Sequence, residues 1–143
     1  MQAVIDSKKQ LDELGTLLED MKSYLSRVEQ GCQELPMCLQ VGDKFKPLET
    51  LTQIMEGLSY YQKLIKSAAV LLAVDFSEIL CDEMSISSLF DHLGQIFANI
   101  FEAAENEDYS LLTDIIEYDL MPAICSSQGI LVVVQGRCEE RVM

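Results

Sequence analysis

The chain has 143 residues, of which 49% are apolar, enough for one domain with a real core and too apolar for a disordered chain. Its formal net charge of −14 is unevenly placed: residues 1–66 hold ten acids and eight bases, whereas residues 67–136 hold twelve acids and no Lys or Arg. A half-molecule with one sign of charge repels phosphate backbones and attracts basic partners or cations, so nucleic-acid binding is disfavoured.

The five cysteines (Cys32, Cys38, Cys81, Cys125 and Cys138) are odd in number, and no two have CxxC spacing. No charged-then-apolar leader opens the chain, so reduced thiols in a cytoplasmic protein are expected. The longest apolar runs, such as Ala68 to Val74, are too short to span a bilayer.

The first helix is predicted over about residues 3–34. One seam position holds Val4, Leu11, Leu18, Leu25 and Cys32, and the other holds Ser7, Leu14, Met21, Val28 and Leu35. This 4–3 alternation marks a narrow helix–helix seam, while Lys8, Asp12, Glu19 and Lys22 fall off it. The seam can pair within the chain or with a second copy, which leaves a homodimer through this helix open. Pro36 is expected to end the helix, Gly42-Asp43 to turn the chain, and Asp43 or a neighbour to cap the next helix. Pro47 suits a first turn.

A second helix is predicted over about 48–82, with Leu51, Ile54, Leu58, Tyr61, Ile65, Ala68, Leu72 and Ile79 on its seam. Its middle, Ala68 to Val74, is apolar all round, which places this helix at the centre of the core. Asp75 interrupts the seam. Either the helix bends or unwinds there and the acid reaches water, or Asp75 is a buried carboxylate with a partner.

Ser85 is a good N-cap for a third helix over about 86–105. Ile86, Leu89, Leu93, Ile96, Ile100 and Ala103 form one apolar stripe, with Phe90, Phe97, Phe101 and Ala104 beside it. Gly94 offers a place of close approach. Asn106-Glu107-Asp108 turns the chain, and Asp108 can cap a fourth helix over about 109–126, where Pro122 predicts a kink or an end nearby. In the tail, residues 127–143, the run Gln128 to Gly136 has the composition of a strand. A lone strand has no partner among helices, so the helix is expected to continue past Pro122 into part of this run, the alternative being an extended arm. Arg137 to Arg141 reads as a frayed end.

The chemistry-bearing residues are sparse. The single His, His92, stands beside Asp91 inside the third helix, and a Cys–His pair with Cys81 or Cys125 could form only through tertiary contact. The cysteines lack zinc spacing, no Glu-x-x-His pair is present, and no glycine-rich phosphate loop occurs, so neither metal nor cofactor is expected. What remains is surface. Glu102, Glu105, Asp114, Glu117 and Asp119 form an electrostatic rim, and Glu102, Glu105, Asp114 and Glu117 with Tyr109 and Tyr118 are the candidate partner-binding set. Tyr60 and Met55 are further exposed candidates, and Asp75 is a candidate buried polar site.

Asp75-Phe76, Ser88-Leu89-Phe90, Glu102-Ala103, Glu107-Asp108 and Leu111-Leu112 together resemble the flagellin-export chaperones. That resemblance implies a small four-helix bundle that holds a helical protein segment in the cytoplasm before secretion. The long heptad-patterned first helix departs from that family, whose N-terminal part is shorter. The stretch Asp108 to Leu120 also resembles the C-terminal part of small helical proteins of Gram-positive bacteria. The expectation is therefore an all-α antiparallel bundle of about four main helices, with helix 2 central and the 85–124 hairpin packed on it. The expected function is non-enzymatic: a chaperone, adaptor or assembly factor that binds a helical or basic protein segment. The competing classes are a metal- or cofactor-binding bundle enzyme using Asp75, His92 or a Cys, and a structural homodimer through helix 1.

Overall fold

A computed structural model describes residues 2–75, 80–81 and 84–142. The chain is an all-α bundle. Helix α1 spans Gln2–Gln40, α2 Phe45–Leu72, α3 Ile86–Glu105, α4 Tyr109–Ile115 and α5 Met121–Val142. A π-helical segment, Ile116–Leu120, joins α4 to α5, so these three pieces make one continuous rod. Among the described residues, four rods therefore build the bundle. A two-residue antiparallel pairing, Leu80 with Ser85 and Cys81 with Met84, precedes α3.

Helix α1 buries the predicted seam. Leu11, Leu14, Leu18, Met21, Leu25, Val28, Cys32 and Leu35 are all in the core, and Leu39 extends the pattern. From Leu11 onward the seam is thus filled within the chain. Val4 and Ser7 lie outside the described side chains. Contrary to expectation, Pro36 does not end α1. It is buried inside the helix, and Leu35 and Leu39 are packed on either side of it. Proline removes only its own N–H and crowds the carbonyl four residues back, and burying two leucines across it offsets that cost. The helix ends at Gln40, where the Lys44 ammonium donates to the Leu39 carbonyl. Gly42 takes the left-handed conformation at φ 76°, and the Asp43 carboxylate accepts the Phe45 N–H at 3.0 Å.

Helix α2 stops at Leu72, ten residues before its predicted end. Ala73 closes it in the left-handed conformation, donating its N–H to the helix's last carbonyls. Asp75 follows the stop and is exposed, which corrects the buried-carboxylate reading. Ile79 lies outside the described residues. The seam from Leu51 to Leu72 is buried, and so is Met55, which removes it from the exposed candidates. Helix α2 is not central, however. Val70, in the middle of its apolar run, is 83% exposed.

The central rod is the last one. Helix α5 packs on α1, α2 and α3. Its pairing with α1 is antiparallel: Cys138 Sγ reaches the Leu11 carbonyl at 3.6 Å, Gln135 Nε2 donates to Glu19 at 2.9 Å, and Gln128 Nε2 donates to Glu29 at 3.0 Å. The strand-like run is helical because its burial follows helical spacing. Ile130, Leu131, Val134 and Cys138 are buried, whereas Val132 and Val133 face out. Helix propensity disfavours β-branched residues by a few tenths of a kcal/mol each, against roughly 1.5–3 kcal/mol for each buried aliphatic side chain. Nor is the end frayed: Arg141 donates to the Leu72 carbonyl at 3.0 Å and so ties α5 to the end of α2.

Pro122 sits inside this rod without breaking it. In an α-helix its ring would press on the Tyr118 carbonyl. The wide turn just before it, closed by the Met121 N–H on the Ile116 carbonyl, relieves that clash.

Helix α3 matches its predicted span. Ser85 caps it, accepting the Ser88 N–H at 3.1 Å, and the stripe Ile86, Leu89, Leu93, Ile96, Ile100 and Ala103 is buried. Asp108 caps α4 through the Leu111 N–H at 3.1 Å, after a turn in which Glu107 is left-handed at φ 55°. Two readings of α3 are corrected. Phe101 is 60% exposed rather than part of the core stripe, and the space beside Gly94 is open. Helices α2 and α3 meet at Tyr61 and Phe90, whose rings stand edge to face with centroids 6.2 Å apart. The Tyr61 hydroxyl donates to the Ser127 carbonyl at 3.0 Å, so one buried phenol links α2 to α5 as well.

Candidate functional site

The predicted partner-binding residues lie on the outer surface of the α3–α4 hairpin. Glu102 and Glu105 are exposed on α3, and Asp114, Glu117 and Tyr118 are exposed on α4 and the π segment. Tyr118 is 72% exposed. Asp114 and Tyr118 stand four residues apart, so they share one side of the rod. Tyr109 differs from the rest: it is half-buried at the start of α4, and the Lys44 ammonium sits 5.4 Å above its ring. This contact ties α4 to the α1–α2 turn and leaves only part of the ring for a ligand. His92 and Asp91 are exposed, Cys38 and Cys125 are exposed, and Cys32 and Cys138 are buried. Among the described residues no three His, Cys, Asp or Glu side chains gather as a metal site.

A concave surface lies elsewhere, between α1 and α2. Its wider part, about 650 Å³, is lined by Leu14, Leu17, Tyr60, Leu64, Val70 and Leu71 with Gln10, Glu13, Lys63 and Ser67 at its edges. A smaller part, about 400 Å³, continues it through Met21, Tyr24, Gly57 and Tyr60 with Asp20 and Arg27. Leu17 and Tyr60 line both parts, so the two form one groove.

The sequence explains why the groove exists. Along α1, Leu17 and Tyr24 stand one position off the seam and flank its members Leu14 and Met21. Leu14 and Met21 are buried in the floor, Leu17 is 42% exposed and Tyr24 is half-buried. Across from them on α2, Tyr60 is 51% exposed although its neighbour Tyr61 is fully buried. The smaller end is set by Gly57: a Cβ there would run into the Tyr24 ring, so glycine lets the phenol lie against the α2 backbone. Burial pushes the Tyr24 phenol above its ordinary value, with Arg27 opposing and Glu56 adding to the rise. Toward Val70 none of the described residues plugs the gap in this way.

Sequence reasoning named Tyr60 as exposed but missed Leu17, Tyr24 and Val70 as its companions. The signal was present as apolar residues one position off each seam: Leu17 beside Leu18 and Tyr60 beside Tyr61. Such pairs widen an apolar face beyond what one neighbouring helix can cover.

The groove has an apolar floor, and its polar groups lie along its two edges. It can hold an elongated apolar object. Among the described residues no helix is long and apolar enough to cross a membrane. The model of a protein family described as a domain of unknown function, DUF8042, matches residues 16–129, so the chain belongs to that family. No curated protein and no solved structure matches it.

Proposed function

We propose that this DUF8042-family chain is a non-enzymatic binding protein that holds a helical segment of another protein in the α1–α2 groove, as a chaperone, adaptor or assembly factor. The observation that carries the reading is the groove itself. Its floor is apolar, and Leu17, Tyr60 and Val70 remain exposed after the chain has packed its own four rods. Helix-in-groove recognition needs a long apolar trough between two helices with polar edges, and these residues supply both. The likeness to flagellin-export chaperones noted in the sequence agrees with such a role and with a cytoplasmic setting.

A second surface has its own support. Phe101 and Tyr118 are exposed within a stretch that contains acids and no Lys or Arg, so a basic segment with apolar anchors would suit the outer face of the hairpin. One experiment weighs the two surfaces. A photo-crosslinking amino acid is placed at position 17, 60 or 118, and the cells that make the protein are irradiated. The expected result is the same discrete protein adduct from positions 17 and 60 and none from 118. An adduct from 118 alone would move the site to the hairpin, and no adduct from any position would overturn the reading.

A further inference from the structure

The edges of the groove say more about its occupant than its floor does. The length is set by the helices. Gln10 to Arg27 covers about 26 Å of α1, and Gly57 to Leu71 covers about 21 Å of α2, at 1.5 Å per residue. A helix lying along the trough would thus be in contact over about 14–17 residues. The charged residues divide unevenly between the two edges, three on α1 and one on α2. On the α1 edge, Glu13, Asp20 and Arg27 follow one another at intervals of seven residues, one heptad each, so all three project toward the same side of the gap, acidic at the first two positions and basic at the third. On the α2 edge, Lys63 is the charged residue of the wider part. Arg27 stands at the smaller end, beside Tyr24.

We infer that the groove takes an amphipathic helix of about four turns whose two edges carry opposite charge, its basic edge along Glu13 and Asp20 and its acidic edge along Lys63. This rests on the helix-binding reading above and sharpens it. The occupant becomes the third strand of a coiled-coil-like seam, with its apolar face over Leu17 and Tyr60. Opposite edges also fix its direction, because a helix turned end for end presents its acidic edge to Glu13 and Asp20. The inference separates the occupant from a simple basic segment, which the net charge of −14 would attract anywhere on the surface.

Three designed 16-residue helical peptides with the same apolar face test this by fluorescence anisotropy with the full chain, at a salt concentration near 0.15 M. One has a lysine edge and a glutamate edge, one has lysine on both edges, and one has glutamate on both. The mixed-edge peptide is expected to bind about tenfold tighter than the doubly acidic one, the gain of two exposed charge pairs with Glu13 and Asp20, and about threefold tighter than the doubly basic one, the gain of the single pair with Lys63. Glu13→Lys with Asp20→Lys should transfer the preference to the doubly acidic peptide, and Lys63→Glu should transfer it to the doubly basic one. All four positions, Arg27 included, are exposed, so the variants should keep the wild-type helical content and melting curve.

Equal binding of the three peptides, or tightest binding of the doubly basic one with no transfer in the variants, would overturn the edge assignment while the groove reading stands. If no peptide binds, both fail together. Sedimentation of the chain alone closes the remaining case. A dimer that Leu17→Glu dissociates would assign the groove to a second copy and overturn the inference.

Discussion

Helix α1 makes two contacts of opposite character. Against α5 it closes: Leu18, Leu25, Cys32 and Leu39 have no exposed surface, and side chains of α5 reach across to Leu11, Glu19 and Glu29. Against α2 it stays partly open, and Leu17 and Tyr60 remain in water above a trough. Both contacts are made by apolar residues at helical spacing on the same helix. The difference is coverage. The seam of α1 meets the apolar stretch of α5, whereas Leu17 and Tyr24, one position off the seam, are only partly covered by α2. Apolar surface that a fold does not consume is where a binding function can be sought.

The largest expected effect comes from cutting the closed side. Leu18→Ala removes a fully buried side chain and should cost about 2–5 kcal/mol, whereas Leu17→Ala, one residue along, should stay within about 0.5 kcal/mol. Urea unfolding of the two variants measures the contrast. Equal losses would mean that the groove is as closed as the seam, which would remove the basis of the functional reading.

The closed side should also show in alkali. Burial pushes the Cys32 thiol from an ordinary value of 9.0 up to about 12. Below pH 9 the folded and unfolded chains both hold that proton, so stability is unaffected. Between pH 9 and about 12 the unfolded chain releases it and the folded chain does not, so stability falls as pH rises, by roughly 4 kcal/mol at the far end of the window. Cys138, also raised by burial with Glu139 and Asp12 nearby, acts in the same direction. Cys32→Ala should be less stable at neutral pH yet lose part of the alkaline slope. At neutral pH an alkylating reagent should modify Cys38 and Cys125 first and spare Cys32 and Cys138 until the chain unfolds.

Much of the closed side was legible in the sequence, because period is a strong signal. The α1 seam, the α3 stripe and the caps at Ser85 and Asp108 come from spacing and side-chain chemistry alone. The reading of Pro36 as a helix end fails, and the choice between helix and extended arm after Pro122 stays open in the sequence, for one reason: local preferences that tertiary packing outweighs. Pro36 and Pro122 both sit inside helices, one held by buried leucines and the other eased by a π turn. The valine-rich run of α5 is helical because α1 offers it a surface to bury against. At Asp75 the preference was right and the periodicity misled, since the 4–3 pattern runs past the real stop at Leu72. The groove was the least legible feature. An off-seam leucine or tyrosine is ordinary in sequence, and only the relative placement of α1 and α2 decides whether it is covered.

On the open side the sharpest probe is Gly57. Alanine there gains up to about 1 kcal/mol of helix propensity, but its Cβ displaces the Tyr24 ring from the α2 backbone. We expect a net loss of about 1 kcal/mol for Gly57→Ala, and little or no loss when it is combined with Tyr24→Ser, because the clash then has no partner. Additive losses in that cycle would place Tyr24 elsewhere. Binding should respond too: with Tyr24 displaced into the trough, Gly57→Ala should weaken a groove ligand more than it weakens the fold.

The smallest effect lies beneath the hairpin and tests whether an imperfection there is structural or serves the opposite surface. Thr113 is buried in α4, one turn before the π segment, and its hydroxyl has no hydrogen-bond partner among the described residues. A buried hydroxyl without a partner costs about 1–3 kcal/mol of desolvation, whereas an apolar group of the same shape costs nothing of that kind. Thr113→Val keeps the branched outline and removes only the hydroxyl. It should therefore stabilise the chain by up to about 1 kcal/mol, read as a rise in urea midpoint with an unchanged slope. If the hydroxyl is merely tolerated, ligand binding at the α1–α2 groove should be unaffected, since Thr113 lines no part of it. A loss of stability instead would show that Thr113 bonds an ordered water or the preceding turn, and that the rod from α4 to α5 depends on it.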